Sequence, residues 1–168
     1  MERIIRYPNE QLSVKSSEIV EFTPAVYAVA ETLKRLMKAK NGVGLAAVQV
    51  GSPIRLAVIR DPQNHDKGGE PLILANPHVV RSEGNLSASE GCLSIPGVWI
   101  DIIRPQEVEV ESTLLDGSTQ RHIFREYLAR GIMHEIDHME GLLIWDHLPP
   151  REREEAMERF LKAERWQN

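Results

Sequence analysis

The segment from Glu126 to Glu140 constrains the fold of this 168-residue chain more than any other. Leu128, Ile132, Ile136 and Met139 recur at helical spacing, and Ala129 and Met133 widen the stripe. A helix with so much apolar surface has to be buried between other elements. It is expected to stop near Gly141. His134-Glu135-Ile136-Asp137-His138 lies inside it. Residues four apart project from one helix face, so both imidazoles can reach a single metal ion. Two buried imidazoles with no partner would be costly, which argues against a chance pair of surface histidines. Glu135 then stands beside the ion, placed to deprotonate a water there.

What surrounds this helix reads as short strands. Ile54–Ile59, Pro71–Ala75, His78–Ser82 and Val98–Ile103 are bounded by turn residues. Val108 and Val110 alternate with Glu107, Glu109 and Glu111, the pattern of a half-buried strand. Asp116-Gly117 marks a hairpin turn into Thr119–Phe124. An earlier helix opens at Thr23-Pro24, with Thr23 as its cap, carries Val26, Val29, Ala30, Leu33 and Met37, and stops at Gly42 after Asn41. Pro149-Pro150 opens a third, striped by Met157, Phe160 and Leu161. Asp61–Glu70 reads as a polar surface loop. The expected architecture is α+β, with short-stranded sheets around a central helix and further helices near both ends, in a single domain spanning 1–168.

Composition removes several classes of function. With 42% apolar and 27% charged residues, the chain resembles ordinary globular proteins, not disordered ones. The longest apolar run is six residues, Ala25 to Ala30, whereas a membrane span needs ~20. The first residues show no apolar signal core, so a cytoplasmic location is expected, or an organelle interior if a presequence was removed. A net charge of −5 argues against free nucleic acid as a partner.

Two histidines leave a metal short of ligands, because catalytic sites commonly use three protein ligands. The lone cysteine, Cys92, lies 42 residues before His134 in Glu90-Gly91-Cys92-Leu93-Ser94. Taken alone it reads as a small buried apolar residue. A nearby pair of histidines in need of a third ligand reverses that preference, since thiolate suits a divalent transition metal. The segment Gly42-Val43-Gly44-Leu45-Ala46-Ala47-Val48-Gln49 permits close backbone approach at its glycines. On its own it reads as a turn with Gln49 exposed.

Together and in this order, G-V-G-L-A-A-V-Q, E-G-C-L-S and H-E-I-D-H resemble the peptide deformylase family. Tyr7-Pro8, Asn76-Pro77, Ile95-Pro96-Gly97, Arg104-Pro105 and Gly141 also fit, so the resemblance runs over most of the chain. It implies that Cys92, His134 and His138 hold one divalent metal, Fe²⁺ in the cell with Zn²⁺, Ni²⁺ or Co²⁺ as replacements. Glu135 is implied as general acid–base, with Gln49 and the Leu93 N–H stabilising the oxyanion. Val43, Gly44, Leu45, Gly91, Tyr127 and Gly131 are implied in substrate binding, and Asp137 and Arg104 as a pair bracing the metal helix. The implied reaction is hydrolysis of the formyl group from N-formylmethionyl peptides or nascent chains, releasing formate. The peptide would add as a strand beside Val43–Leu45 and the segment before Glu90. Where the family usually has proline, glycine, glutamine and leucine, this chain has Val48, Glu126, Met133 and Met139. Gly131 replaces a larger residue and is expected to enlarge the substrate pocket.

Some members of the family contact the ribosome through a basic C-terminal helix. Here Arg151–Arg165 carries five basic and five acidic residues, so at most a weak ribosome contact is expected and a solvated amphipathic helix is preferred. Two other functions compete. A peptidase of the H-E-x-x-H type needs a downstream third ligand, and His147 is the only histidine after His138. A binding module without catalysis would have no use for Glu135 and Gln49.

Overall fold

The computed structural model describes residues 3–60 and 69–165. The loop expected at Asp61–Glu70 falls, for 61–68, outside the described residues. The architecture is α+β, as expected. Helix α1 spans Pro24–Ala39, α2 Glu126–Met139 and α3 Pro150–Arg165. The strands are β1 (Gly44–Ala46), β2 (Leu56–Ile59), β3 (Leu72–Glu83), β4 (Leu86–Cys92), β5 (Ile95–Arg104), β6 (Glu107–Thr113) and β7 (Thr119–Arg125). One antiparallel sheet has the order β1-β2-β3-β6-β7, and β4 pairs only with β5. β1 is therefore an edge strand, and so is β4.

The apolar periodicities explain the layering. Every residue of β2 is buried, as a strand covered on both faces must be. Leu56 and Val58 join Val26, Ala30 and Leu33 of α1. On the opposite face Ile59 and Leu74 meet Phe124, Leu128, Ala129 and Ile132, which anchors α2. Each of the valine, leucine, isoleucine and phenylalanine side chains contributes about 1.5–3 kcal/mol on burial. A separate cluster of Ile95, Ile100, Ile102, Trp145 and Phe160 packs α3 against the β4–β5 hairpin. α2 thus lies between the large sheet and that hairpin.

Several local expectations need correction. Thr23 precedes α1 but makes no side-chain cap bond. α1 ends through Asn41, not Gly42: Asn41 has φ +51, its N–H reaches the Lys38 carbonyl, and the Gly42 N–H reaches the Met37 carbonyl. These are the two bonds of a Schellman stop, with asparagine in the left-handed position. The two segments around Asn76-Pro77 form one strand, β3, interrupted by an irregular register. Asn76 has φ +49, and its amide binds both backbone groups of Ile19. Strand β4 is not among the strands that local pattern predicts, although the family resemblance implies an extended edge before Glu90.

Glu126 also sits at positive φ, +48, where β7 turns directly into α2. A left-handed conformation costs an L-residue roughly 1–2 kcal/mol, part of which its favourable charge at the helix start offsets. Glu126→Gly is expected to stabilise the protein by about 0.5–1 kcal/mol in urea unfolding. A loss of stability in that variant would show that the Glu126 side chain, not the backbone, dominates at this junction.

Candidate active site

α2 presents two stripes. The apolar one faces the large sheet. The other, Arg130, His134, Asp137 and His138, faces the β4–β5 hairpin. His138 is fully buried, and its Nε2 lies 3.2 Å from Cys92 Sγ at the end of β4. The ligand atoms of Cys92, His134 and His138 all fall within 4.8 Å of one another. His134 Nδ1 meets Glu90 Oε2 at 3.2 Å, leaving its Nε2 for a metal. Burial pushes the Cys92 thiol up, but the His138 charge and the His134 hydrogen bond outweigh it and hold the thiol well below its usual range. A thiolate with two imidazoles suits a divalent transition metal such as zinc or iron. The residues present therefore fit such an ion.

Glu135 points into the same space. It is buried, and its Oε2 has no hydrogen-bond partner. Burial raises its carboxyl to about 7, against the opposing pull of His134 and His138. Gly44 makes room for it: a Cβ there would stand 2.6 Å from Glu135 Oε1. Gln49, which the segment alone suggested would be exposed, is buried. Its Oε1 accepts from the Ala46 N–H at 2.9 Å, which aims Nε2 toward Ser94 Oγ (3.1 Å) and Cys92 Sγ (3.8 Å). Val48 is buried in the short 3-10 turn that carries Gln49, closed by Gly51 in the left-handed region.

Gln49, Cys92, His134 and Glu135 stand at the head of a cleft of about 980 Å³. Val43, Gly44, Gly91, Leu93, Tyr127 and Gly131 line it as well. Leu45 does not: its side chain is wholly buried under α1, so only its backbone belongs to the β1 edge. Gly131 does not enlarge the cleft as expected. A Cβ there would meet Val43 Cγ1 at 2.8 Å and Ile59 Cδ1 at 3.1 Å, so those side chains fill the space. The glycine lets α2 pack closely on β1 and β2.

A buried ionic network supports the cluster. Arg104 grips Glu90 with two hydrogen bonds, of 2.8 and 3.0 Å, and reaches Asp137 at 2.7 Å. The expected Arg104–Asp137 pair is therefore present. Arg130, which sequence reasoning did not single out, meets Glu90 at 2.6 Å and also donates to the carbonyls of Ile102 and Leu86. Its position four residues before His134, on the same helix face, was the available signal. Burial opposes the charge on Glu90, yet the His134 and Arg104 hydrogen bonds bring its pKa down to about 2. His147, the only downstream candidate for a peptidase-type ligand, instead bonds Asp137 at 2.7 Å.

α3 is the balanced amphipathic helix expected. Ala156 and Phe160 are buried, and Arg151–Glu155 and Lys162–Glu158 pair along it. Among the described residues, no helix is long and apolar enough to cross a membrane.

Residues 1–154 match the family model described as polypeptide deformylase. A peptide deformylase of Desulforudis audaxviator is 37% identical over 145 residues, covering 86% of this chain and 91% of that protein. Peptide deformylase 2 of Vibrio vulnificus is 38% identical over 159 residues, covering 95% and 93%. The crystal structure of a peptide deformylase from Legionella pneumophila superposes with a TM-score of 0.89 at 34% identity, covering 99% and 97%.

Proposed function

The chain belongs to the polypeptide deformylase family, and from that premise we propose that it hydrolyses the formyl group of N-formylmethionyl peptides at the Cys92–His134–His138 cluster. One juxtaposition carries the reading: a Cys-His-His triad with Cys92 and His138 buried and His134 open to the cleft, with Glu135 and Gln49 beside it, between two free strand edges. A divalent ion held by Cys92, His134 and His138 would lower the pKa of water and polarise a carbonyl.

The chain's own residues account for the rest. The peptide backbone extends between the β1 edge at Val43–Leu45 and the β4 edge before Cys92, as an added strand. The formyl carbon is thereby held beside Glu135. Glu135 accepts the proton of the attacking water and returns it to the departing amine nitrogen. The oxygen of water adds to the formyl carbon, the C–N bond breaks, and formate leaves a free N-terminal methionine. Negative charge developing on the formyl oxygen is met by the Gln49 amide and the Leu93 N–H. Gln49 is fixed for that task by its bond to Ala46. In this reading the whole of 1–168 works as one catalytic domain. It acts on newly made chains, in the cytoplasm or an organelle interior. The ion pairs within α3 leave little free positive charge for a ribosome contact.

The experiment is formate release from formyl-Met-Ala by protein prepared without oxygen, since a thiolate-bound ferrous ion is easily oxidised. Formate is expected with no cleavage of unformylated peptide. A chelator should abolish it, and returning Fe²⁺, Ni²⁺ or Zn²⁺ should restore it to differing degrees. A metal-loaded sample that releases no formate, or that cuts peptide bonds, overturns the assignment.

A further inference from the structure

The two donors proposed to meet the formyl oxygen sit on separate loops. Gln49 lies in the 3-10 turn Ala47–Val50. Leu93 and Ser94 form the turn of the β4–β5 hairpin, closed where Cys92 faces Ile95. A side-chain bond joins the loops, Gln49 Nε2 to Ser94 Oγ at 3.1 Å. The amide has two N–H donors, so it can keep Ser94 while the second meets the formyl oxygen. A further tie runs through backbone. The segment Ile4–Tyr7 crosses from one loop to the other. The Ile5 N–H donates to the Gln49 carbonyl at 2.8 Å, and the Tyr7 N–H donates to the Ser94 carbonyl at 3.0 Å. Donors two residues apart face one way in extended backbone, and the chain itself fixes their separation at roughly 6–7 Å. Both ends of this strap are anchored. Ile5 Cδ1 lies 3.4 Å from where a Cβ of Gly51 would stand, over the residue that closes the Gln49 turn. The Tyr7 ring meets Trp145 edge-on with centroids 4.6 Å apart, and Phe160 of α3 at 6.0 Å. Trp145 and Phe160 are both buried.

We infer that Ile5 and Tyr7 are positioning residues: their backbone N–H groups clamp the Gln49 and Leu93 loops at the spacing that the charged formyl oxygen requires. This inference rests on the proposed function. Both N–H groups are occupied by the two carbonyls, so they act through Gln49 and Leu93 and not on the substrate. The Gln49 carbonyl belongs to the very residue whose amide acts. The Ser94 carbonyl belongs to the turn that carries the Leu93 N–H. A donor held slightly out of place loses more on the developing oxyanion than on the neutral carbonyl of the bound substrate, so a loosened clamp lowers kcat and spares KM. Phe160 backs the Tyr7 ring, which gives the charge-balanced α3 a task inside the molecule.

The test replaces Ile5 by its α-hydroxy acid analogue, which turns the amide into an ester and deletes the N–H while keeping the side chain. On metal-loaded protein, kcat for formyl-Met-Ala should fall by about 10-fold at unchanged KM, a fraction of the roughly 10²–10³-fold lost with a whole oxyanion donor. Tyr7→Ala should also lower kcat, and Tyr7→Phe should restore it, because the ring and not the hydroxyl mounts the strap. Gln49→Ala separates positioning from general support. Once that amide is gone, deleting the Ile5 N–H should lower kcat no further. Metal content should match the wild type throughout. The inference is overturned if the ester leaves kcat unchanged, or if it lowers kcat equally with and without the Gln49 amide. It is equally overturned if metal is lost in step with activity, because the strap would then only support Cys92. If the wild type releases no formate, the deformylase reading fails instead, and NMR of the Gln49 side-chain NH₂ group decides the clamp by itself. Signals that shift and exchange faster with water in the ester variant sustain it, and signals identical to the wild type overturn it.

Discussion

Glu135→Gln is expected to lower kcat on formyl-Met-Ala by about 10³-fold, within the range for removal of a positioned general acid–base. Glutamine has nearly the same shape, so it fits the space that Gly44 leaves beside Oε1. It cannot carry the proton from water to the amine. The three metal ligands keep their places, so metal content and peptide affinity should be retained. Stability should not fall. Wild-type Glu135 is a buried carboxyl with one oxygen lacking any partner, and such a group costs free energy where it stands. A neutral amide relieves part of that cost, so the variant's Tm should equal or exceed the wild type's. Unchanged kcat would remove Glu135 from the mechanism. Loss of metal together with activity would make it part of the ligand set instead.

How far the sequence announces this fold depends on where the determining contacts lie in the chain. α1 and α2 followed from periodicity, because the sheet they pack on is apolar on both faces at β2. Strand β4 was invisible to local pattern. Ser87, Ala88, Ser89 and Gly91 have weak strand preference, and the segment is extended because β5 pairs with it. β3 was divided at Asn76-Pro77, where two turn-forming residues interrupt a strand that resumes beyond them. The Cys-His-His cluster was legible from spacing on the helix and from the family resemblance. Local sequence places Gln49 on the surface, whereas it is buried with its amide bonded to Ala46 and to Ser94, which lies 45 residues away. Gly131 was misplaced because its neighbours Val43 and Ile59 are remote in sequence. The Glu90–Arg130 bond spans 40 residues, and no local pattern announces its partner.

That bond belongs to the network for which the second large effect is expected. Glu90 is one carboxylate facing two guanidinium groups and the His134 ring, all nearly dry. Arg104 retains Asp137 if Glu90 is lost, but Arg130 keeps only the carbonyls of Ile102 and Leu86. Glu90→Gln leaves Arg130 as a buried cation without a counter-charge, and breaking a buried pair in this way costs about 3–5 kcal/mol. Urea unfolding should show that loss as a lower midpoint with an unchanged slope. The same substitution frees the His134 ring from its carboxylate acceptor, and loss of such a partner lowers metal affinity by roughly 10–100-fold. The two effects have different causes and can be separated. Arg130→Met removes the stranded charge, so Glu90→Gln/Arg130→Met should be less destabilised than the sum of the single variants. Its metal affinity should stay low, because His134 still lacks Glu90. Additive destabilisation in that cycle, or metal affinity that recovers with stability, would show that Glu90 does not link the hairpin's ionic network to the metal ligand.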